Sequence, residues 1–123
     1  ACSDETSDLT TGTGKVTFRM PYAMQITNVR ASLTTAANSG TVTVDINLNG
    51  STIFATNEET GHQRLTIDAG ERTSTTAANA YNFAGSASVL TFGDDDEVRI
   101  DLDAVGTETT GKGLKVTLIG YQR

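Results

Sequence analysis

The sequence predicts an all-β fold, and three observations support that prediction. Apolar and polar residues alternate with a period of two over several short segments, which is typical of half-buried strands. Threonine, whose β-branched side chain suits the surface of a sheet, occurs 22 times. No segment carries the i, i+3, i+4 apolar stripe of a helix. We expect an antiparallel β-sandwich, and the spacing of about eight strands favours an eight-stranded jelly roll.

The first segment, residues 1–14, is polar and acidic and predicts an N-terminal arm before a single domain over residues 15–123. It contains Cys2, the only cysteine, so an internal disulfide and a cysteine-based metal site are excluded. Two interpretations of Cys2 stay open. It is a free thiol in a mobile terminus, or it forms a crosslink between chains.

Two strands are predicted next, on either side of Pro21, which interrupts the ladder. In Lys15–Met20 the apolar residues share one face. In Met24–Thr35 the apolar residues shift phase by one position between Ile26 and Val29. A phase shift of one residue indicates a β-bulge, here near residues 27–28.

The most regular alternation is in Thr41–Leu48, with valine, isoleucine and leucine inward and with Asp45 and Asn47 outward. The pair Asn49–Gly50 follows directly. This dipeptide tolerates the positive φ angles of a type I′ turn, so Ser51–Phe54 is predicted to return as the hairpin partner.

The remaining strands are shorter or less regular. In the last of them Leu114, Val116 and Leu118 are predicted to point inward and Ile119 outward. The predicted segments are Gln63–Asp68, Glu71–Thr76, Ala87–Phe92, Glu97–Asp103 and Gly113–Tyr121.

The charge balance excludes some partners. The net charge is −6 and only nine residues are lysine or arginine, whereas binding to nucleic-acid phosphates needs clustered basic residues. No run of 18 apolar residues is present, so no membrane-spanning segment is predicted.

No catalytic or cofactor site is predicted, and the two motifs with titratable side chains have ordinary explanations. His62, the only histidine, lies in a polar loop without a nucleophile in a recognisable motif, so a solvated side chain is expected. Asp94, Asp95 and Asp96 are Ca²⁺ candidates because loops of β-sandwiches often bind Ca²⁺ through carboxylates. Their spacing matches no EF-hand, and adjacent aspartates are ordinary at a solvated turn, so no metal is predicted.

Several apolar residues lack a place in the predicted core and are interface candidates. Ile119 is on the outward face of its strand, and the others lie at strand ends or in loops. With Cys2, the set is Cys2, Phe54, Tyr81, Phe83 and Ile119.

Four phrases of the sequence carry a resemblance to a known group of proteins: SDETSDLTTGTGKVTFRMPYAMQITNVRASL, TVTVDINLNGSTIF, LTIDAGERTSTTAA and DDEVRIDLDAVGTETTGKGLKVTLIGY. They cover nearly the whole chain. The chain resembles a small β-domain of virion proteins in tailed bacteriophages and prophages. Two stretches depart from that pattern: Ala55–Arg64 is longer, and Ala80–Phe92 is more variable.

The resemblance implies a non-enzymatic structural component of a phage particle, assembled in the host cytoplasm and located in the virion. It implies a surface-exposed decoration, neck or fibre subunit that docks as a homotrimer on other phage structural proteins. The thin core and the interface candidates also favour oligomerisation. The alternative is a receptor- or glycan-binding tip domain of a tail fibre, with a host surface glycan as its partner.

Overall fold

The computed structural model describes residues 1–55, 64–78, 80–106 and 110–122. These residues form two antiparallel sheets that pack face to face, so the predicted β-sandwich is confirmed. The jelly-roll topology remains a prediction. The strands are β1 (Gly12–Arg19), β2 (Met24–Ser32), β3 (Val42–Leu48), β4 (Ser51–Thr52), β5 (Leu65–Ile67), β6 (Leu90–Phe92), β7 (Glu97–Ala104) and β8 (Lys115–Gln122).

Sheet A has the strand order β1-β7-β3-β4, and β5 also pairs with β3. Sheet B has the order β6-β2-β8. The inward side chains of both sheets form one hydrophobic core of aliphatic residues with Met20 and three phenylalanines, Phe54, Phe83 and Phe92. No helix among the described residues is long and apolar enough to cross a membrane.

The hairpin predicted at Asn49–Gly50 is confirmed. Asn49 has φ 50° and Gly50 has φ 87°, which are the positive values that a type I′ turn requires. Leu48 pairs with Ser51 directly across the turn. The local dipeptide therefore determines the register between β3 and β4.

The β-bulge predicted in the second strand is also confirmed. The pairing of β2 with β8 changes register between Ile26 and Asn28. On the partner strand, a Cβ atom added to Gly120 would lie 1.9 Å from the carbonyl oxygen of Gln25. The two backbones approach so closely beside the bulge that only glycine fits at this position of β8.

Three predicted segments differ from the structure. Residues 1–14 are not a loose arm, because Leu9 is buried in the core and β1 already starts at Gly12. The strand predicted over Glu71–Thr76 is wrong, because its second half is a 3₁₀ turn in which the N–H of Thr75 donates to the hydroxyl of Thr73. The strand predicted over Ala87–Phe92 is shorter, since a second 3₁₀ turn precedes it.

Non-strand residues cover one edge of β2 beyond the short pairing with β6. The N–H of Val29 donates to the hydroxyl of Tyr81 at 3.2 Å, and the N–H of Ala31 donates to the hydroxyl of Ser74 at 3.0 Å. Leu33 donates to the carbonyl of Arg72 at 2.8 Å. Alternate N–H groups of β2 are thus satisfied without a neighbouring strand, as buried backbone requires.

Candidate functional site

The acidic turn between β6 and β7 uses its carboxylates locally. Asp96 accepts a hydrogen bond from the N–H of Gly93 at 2.6 Å, and Asp95 lies 3.8 Å from the guanidinium of Arg19. Asp95 has φ 63°, a conformation that aspartate tolerates at turns. Among the described residues, the carboxylates close enough together to share a cation are not those of this turn.

Those converging carboxylates lie on the outward face of sheet A. Asp45 on β3 is directly opposite Asp101 on β7, and Asp103 is two residues further along β7. One oxygen from each lies within 4.8 Å of the others. Asp45 and Asp101 are buried, although the alternation had predicted Asp45 on a solvent-facing surface.

Two arginines of the same chain form ion pairs with these three carboxylates. Arg99 contacts both oxygens of Asp101, at 3.0 Å from Nε and 3.1 Å from a terminal nitrogen. Nε of Arg64 lies 3.3 Å from a carboxylate oxygen of Asp45 and 3.1 Å from one of Asp103. These contacts are ion pairs and not hydrogen bonds, because the Nε–H group makes no hydrogen bond to either carboxylate. The guanidinium of Arg64 therefore lies where a cation would bridge Asp45 and Asp103.

Neutral donors complete the environment of Asp101. The N–H of Gly14 donates to one oxygen at 2.7 Å, and the side-chain amide of Asn47 donates to the other at 3.0 Å. Each oxygen of Asp101 thus accepts a neutral donor as well as an arginine N–H. Such saturation holds the carboxylate in one orientation, which suits a structural role.

Asp45, Asp101 and Asp103 with Arg64 and Arg99 form a charge network, and Asp103 is its partly exposed carboxylate. Partial burial raises the pKa of its carboxyl above the ordinary value, the negative charges of Asp45 and Asp101 add to that effect, and Arg64 opposes it. A raised carboxyl pKa is also seen in general acids. The two carboxylates near it are already paired with cations, Asp45 with Arg64 and Asp101 with Arg99.

The sequence did not identify this network, although it contained part of the signal. Alternation places Asp45, Asp101 and Asp103 on outward faces of their strands. Their meeting depends on β3 and β7 being neighbours in a particular register. That pairing is not determined by either segment alone.

Phe54 and Phe83 are corrections to the predicted interface set. Phe54 is 1% exposed and Phe83 is 4% exposed, and the two residues form an isolated backbone bridge within the core. Both rings contact that of half-buried Tyr81, at centroid distances of 5.8 Å and 5.2 Å. The three aromatic residues form an internal cluster because the loops that carry them fold against each other.

Cys2 is also placed differently from the expectation of a mobile terminus. Its N–H donates to the carbonyl of Leu114 at 2.8 Å, and its half-buried side chain packs against the core. Burial raises the pKa of the thiol, while the charge of the N-terminal amine and the N–H of Val116 act in the opposite direction. This packing does not favour a crosslink between chains.

A cleft of about 270 Å³ lies between β2, β5 and residues 74–77 and 80–81. Hydroxyls dominate its polar lining, which also includes Arg30 and Asn28. Thr66, 6% exposed, lines the cleft, and within the described part of the chain its hydroxyl has no hydrogen-bond partner. The lining mixes apolar and polar groups, and its polar groups could hydrogen-bond a small hydroxylated ligand.

The exposed large hydrophobic residues are mostly ones that sequence reasoning missed. Ile119 is half-buried on the outward side of β8, but Tyr121 on the same side is 57% exposed. The others are Phe18, Tyr22 and Val89. The alternation identified Ile119 but gave no signal that Tyr121, two residues further along the same face, would be exposed. His62 lies outside the described residues.

No protein-family model, curated protein or solved structure matches the chain.

Proposed function

We propose that the chain is a non-enzymatic structural subunit of a tailed-bacteriophage particle, located in the virion as a decoration, neck or fibre component. The resemblance of four sequence phrases to virion β-domains supports the phage setting. The proposal also includes contacts with copies of itself and with other structural proteins of the particle.

The observation that carries the proposal is the position of the exposed hydrophobic side chains. Phe18 and Tyr22 lie in and after β1, and Tyr121 lies near the end of β8. Both strands are the outer strands of their sheets. Exposed apolar side chains on or next to the outer strands of a small acidic domain favour coverage by another protein surface.

The polar groups support a structural role in a second way. The carboxylates of the charge network are matched to Arg64 and Arg99 within the chain. A site arranged for chemistry would instead direct an unsatisfied acid, base or nucleophile towards a substrate. The network is consistent with a rigid sheet face.

The homotrimer belongs to this proposal and is supported by the resemblance. Phe54 and Phe83 no longer support it, because they are in the core. Tyr81 does not support it either, because its ring packs against Phe54 within the same aromatic cluster.

A receptor- or glycan-binding tip is the second candidate function, and the cleft beside Tyr81 favours it. The cleft offers several groups that could bind a sugar. They are its hydroxyls, including the unpartnered hydroxyl of Thr66, and the guanidinium of Arg30. Titration calorimetry with monosaccharides tests this function, and heat released by the parent but not by Thr66→Val would support it.

Electron microscopy of particles made by the genome that encodes the chain tests the main proposal. A tagged copy should be found at regular positions on the head, neck or tail, and it should be abundant in purified particles by mass spectrometry. Particles that contain none of the chain would contradict the proposal.

A further inference from the structure

The sandwich has several strand edges, and most of them are protected against pairing with another chain. β4, β5 and β6 have only two or three residues each. The outer edge of β1 carries Lys15 and Arg19 and has an irregular register between Gly12 and Val16. Short length, charge and irregularity are the usual means by which proteins prevent edge-to-edge association.

The first half of the β8 edge is covered by the N-terminal segment. Cys2 donates its N–H to the carbonyl of Leu114, and the hydroxyl of Ser3 accepts from the N–H of Leu114 at 2.9 Å. The N–H of Val116 is directed at the thiol of Cys2. These contacts show that residues 114 and 116 direct their main-chain groups away from β2.

The second half of the same edge has no such cover among the described residues. Main-chain groups alternate sides along a strand, so those of Leu118, Gly120 and Gln122 also point away from β2. The carbonyl of Ile119 accepts from the hydroxyl of Thr27 on β2, which agrees with this assignment. From Val116 to Gln122 the strand contains no charge and no proline.

The outward face of this uncovered stretch carries two apolar side chains. Ile119 and Tyr121 are on the side opposite the core, and Tyr121 is 57% exposed. Residues 118–122 of β8 therefore combine an unprotected strand edge with an exposed tyrosine.

We propose that β8 pairs antiparallel with β8 of a second copy of this chain, about a two-fold axis at Gly120. In this register Gly120 is opposite Gly120 of the second copy, and Leu118 is opposite Gln122. The edge-facing N–H and C=O groups exchange hydrogen bonds, and Ile119 is opposite Tyr121 in a non-hydrogen-bonded pair, where side chains lie closest. Sheet B then becomes continuous across both copies.

A second copy is the occupant that the sequence of the edge fits. The stretch is uncharged, so two copies meet no like charges along the paired strands despite the net charge of −6. One register satisfies the free edge groups and covers both apolar side chains. The proposal rests on the self-association in the proposed function, but a two-fold contact gives a dimer where the resemblance implies a trimer.

Sedimentation equilibrium of the full chain, from nanomolar to high micromolar concentration, tests the contact with two double variants. Ile119→Lys with Tyr121→Lys places lysines opposite lysines across the axis, and Ile119→Glu with Tyr121→Glu places glutamates opposite glutamates. Each should raise the dimer dissociation constant by at least about tenfold. An equimolar mixture should restore dimers, because lysine then faces glutamate. Thr91→Lys, exposed on β6 of the same sheet, is the control and should leave the parent dimer unchanged.

Hydrogen exchange on the parent chain keeps the test independent of variant folding. The amides of Leu118 and Gly120 should become protected as concentration rises through the dissociation constant. A monomer at all concentrations, or a dimer in which these amides stay unprotected, would overturn the proposal. A trimer that the paired variants do not affect would also overturn the β8 contact, but it would leave the proposed function intact. Absence of the chain from phage particles would overturn only the phage assignment.

Discussion

Asp45 and Asp101 face each other directly across β3 and β7, and each is only 6% exposed. Like charges in this position destabilise a sheet unless they are compensated. Each carboxylate has its own arginine, Arg64 for Asp45 and Arg99 for Asp101. The pairing of the two central strands therefore depends on cations that the chain itself supplies.

Removal of one of these cations should destabilise the fold. Arg64→Met retains much of the side-chain length but leaves Asp45 and Asp103 without their counter-ion. We expect a loss of about 1–3 kcal/mol in the free energy of unfolding, below the ~3–5 kcal/mol of a fully buried pair because solvent reaches Arg64. Urea denaturation measures the loss.

Arg30→Met is the matched control, because Arg30 is exposed on sheet B and should change stability by no more than about 0.5 kcal/mol. Millimolar Ca²⁺ should stabilise Arg64→Met more than the parent, since three carboxylates then converge without a guanidinium between them. Equal stability of the Arg64 and Arg30 variants would show that the network is not an energetic unit.

The pKa of Asp103 predicts a specific pH dependence. Burial, followed by the charge of Asp45, raises this pKa above the ordinary value of 3.8. The folded state therefore binds the proton more tightly than the unfolded state. The resulting stabilisation is present below the unfolded pKa and is lost as pH rises through the folded pKa. Asp103→Asn should remove this part of the pH dependence, which lies in the acidic range above the ordinary pKa of 3.8.

Glu5→Gln provides a control of opposite sign. Hydrogen bonds from the side chains of Lys115 and Thr34 lower the pKa of Glu5, so its stabilisation is lost as pH falls. Melting temperatures of the parent and both variants, measured across this pH range, give two difference curves. Curves with the same slope would contradict the assignment of the two carboxyl groups.

Local features of the fold could be predicted because a few adjacent residues determine them. Asn49–Gly50 encodes its own turn, and the phase shift after Ile26 reveals the bulge in β2. The partner of a bulge is not encoded locally. The need for Gly120 follows only from its approach to Gln25 on another strand.

The candidate sites were predicted less well, because they depend on contacts between distant segments. Phe54 and Phe83 occupy irregular positions in the alternation, yet their mutual bridge buries both. Cys2 lies in a polar segment that nonetheless bonds to Leu114 at the opposite end of the chain. A pattern within one segment cannot show which other segment will cover it.

The location of Cys2 predicts low reactivity in the folded chain. Burial raises the thiol pKa, so less of the reactive thiolate is present at pH 8 than in an exposed cysteine. The native chain should react with a disulfide reagent at least about tenfold more slowly than the same chain unfolded in urea. Cys2→Ser should still fold, with the sandwich spectrum retained by circular dichroism. Equal rates in the native and unfolded states would show that the N-terminal segment does not cover β8.

The hydrogen bond between Val29 and Tyr81 allows the cover of the β2 edge to be tested by removing a single oxygen atom. The Tyr81 hydroxyl accepts from the N–H of Val29 at 3.2 Å and donates to the side chain of Asn28. Tyr81→Phe removes the hydroxyl but keeps the ring that contacts Phe54. Because Val29 is buried, its N–H then loses its partner, and we expect a loss of about 1–3 kcal/mol in the free energy of unfolding.

Hydrogen exchange localises this effect and separates it from a general loss of stability. The amide of Val29 should exchange faster in Tyr81→Phe than the amide of Ala31, whose acceptor is the hydroxyl of Ser74. Tyr22→Phe removes a hydroxyl from an exposed ring and should alter stability by no more than about 0.5 kcal/mol. If Tyr81→Phe and Tyr22→Phe unfold at the same urea concentration, the Tyr81 hydroxyl is not what satisfies this edge. If both amides accelerate equally, the change has loosened the whole edge, and the hydrogen bonds to Tyr81 and Ser74 act as one unit instead of separately.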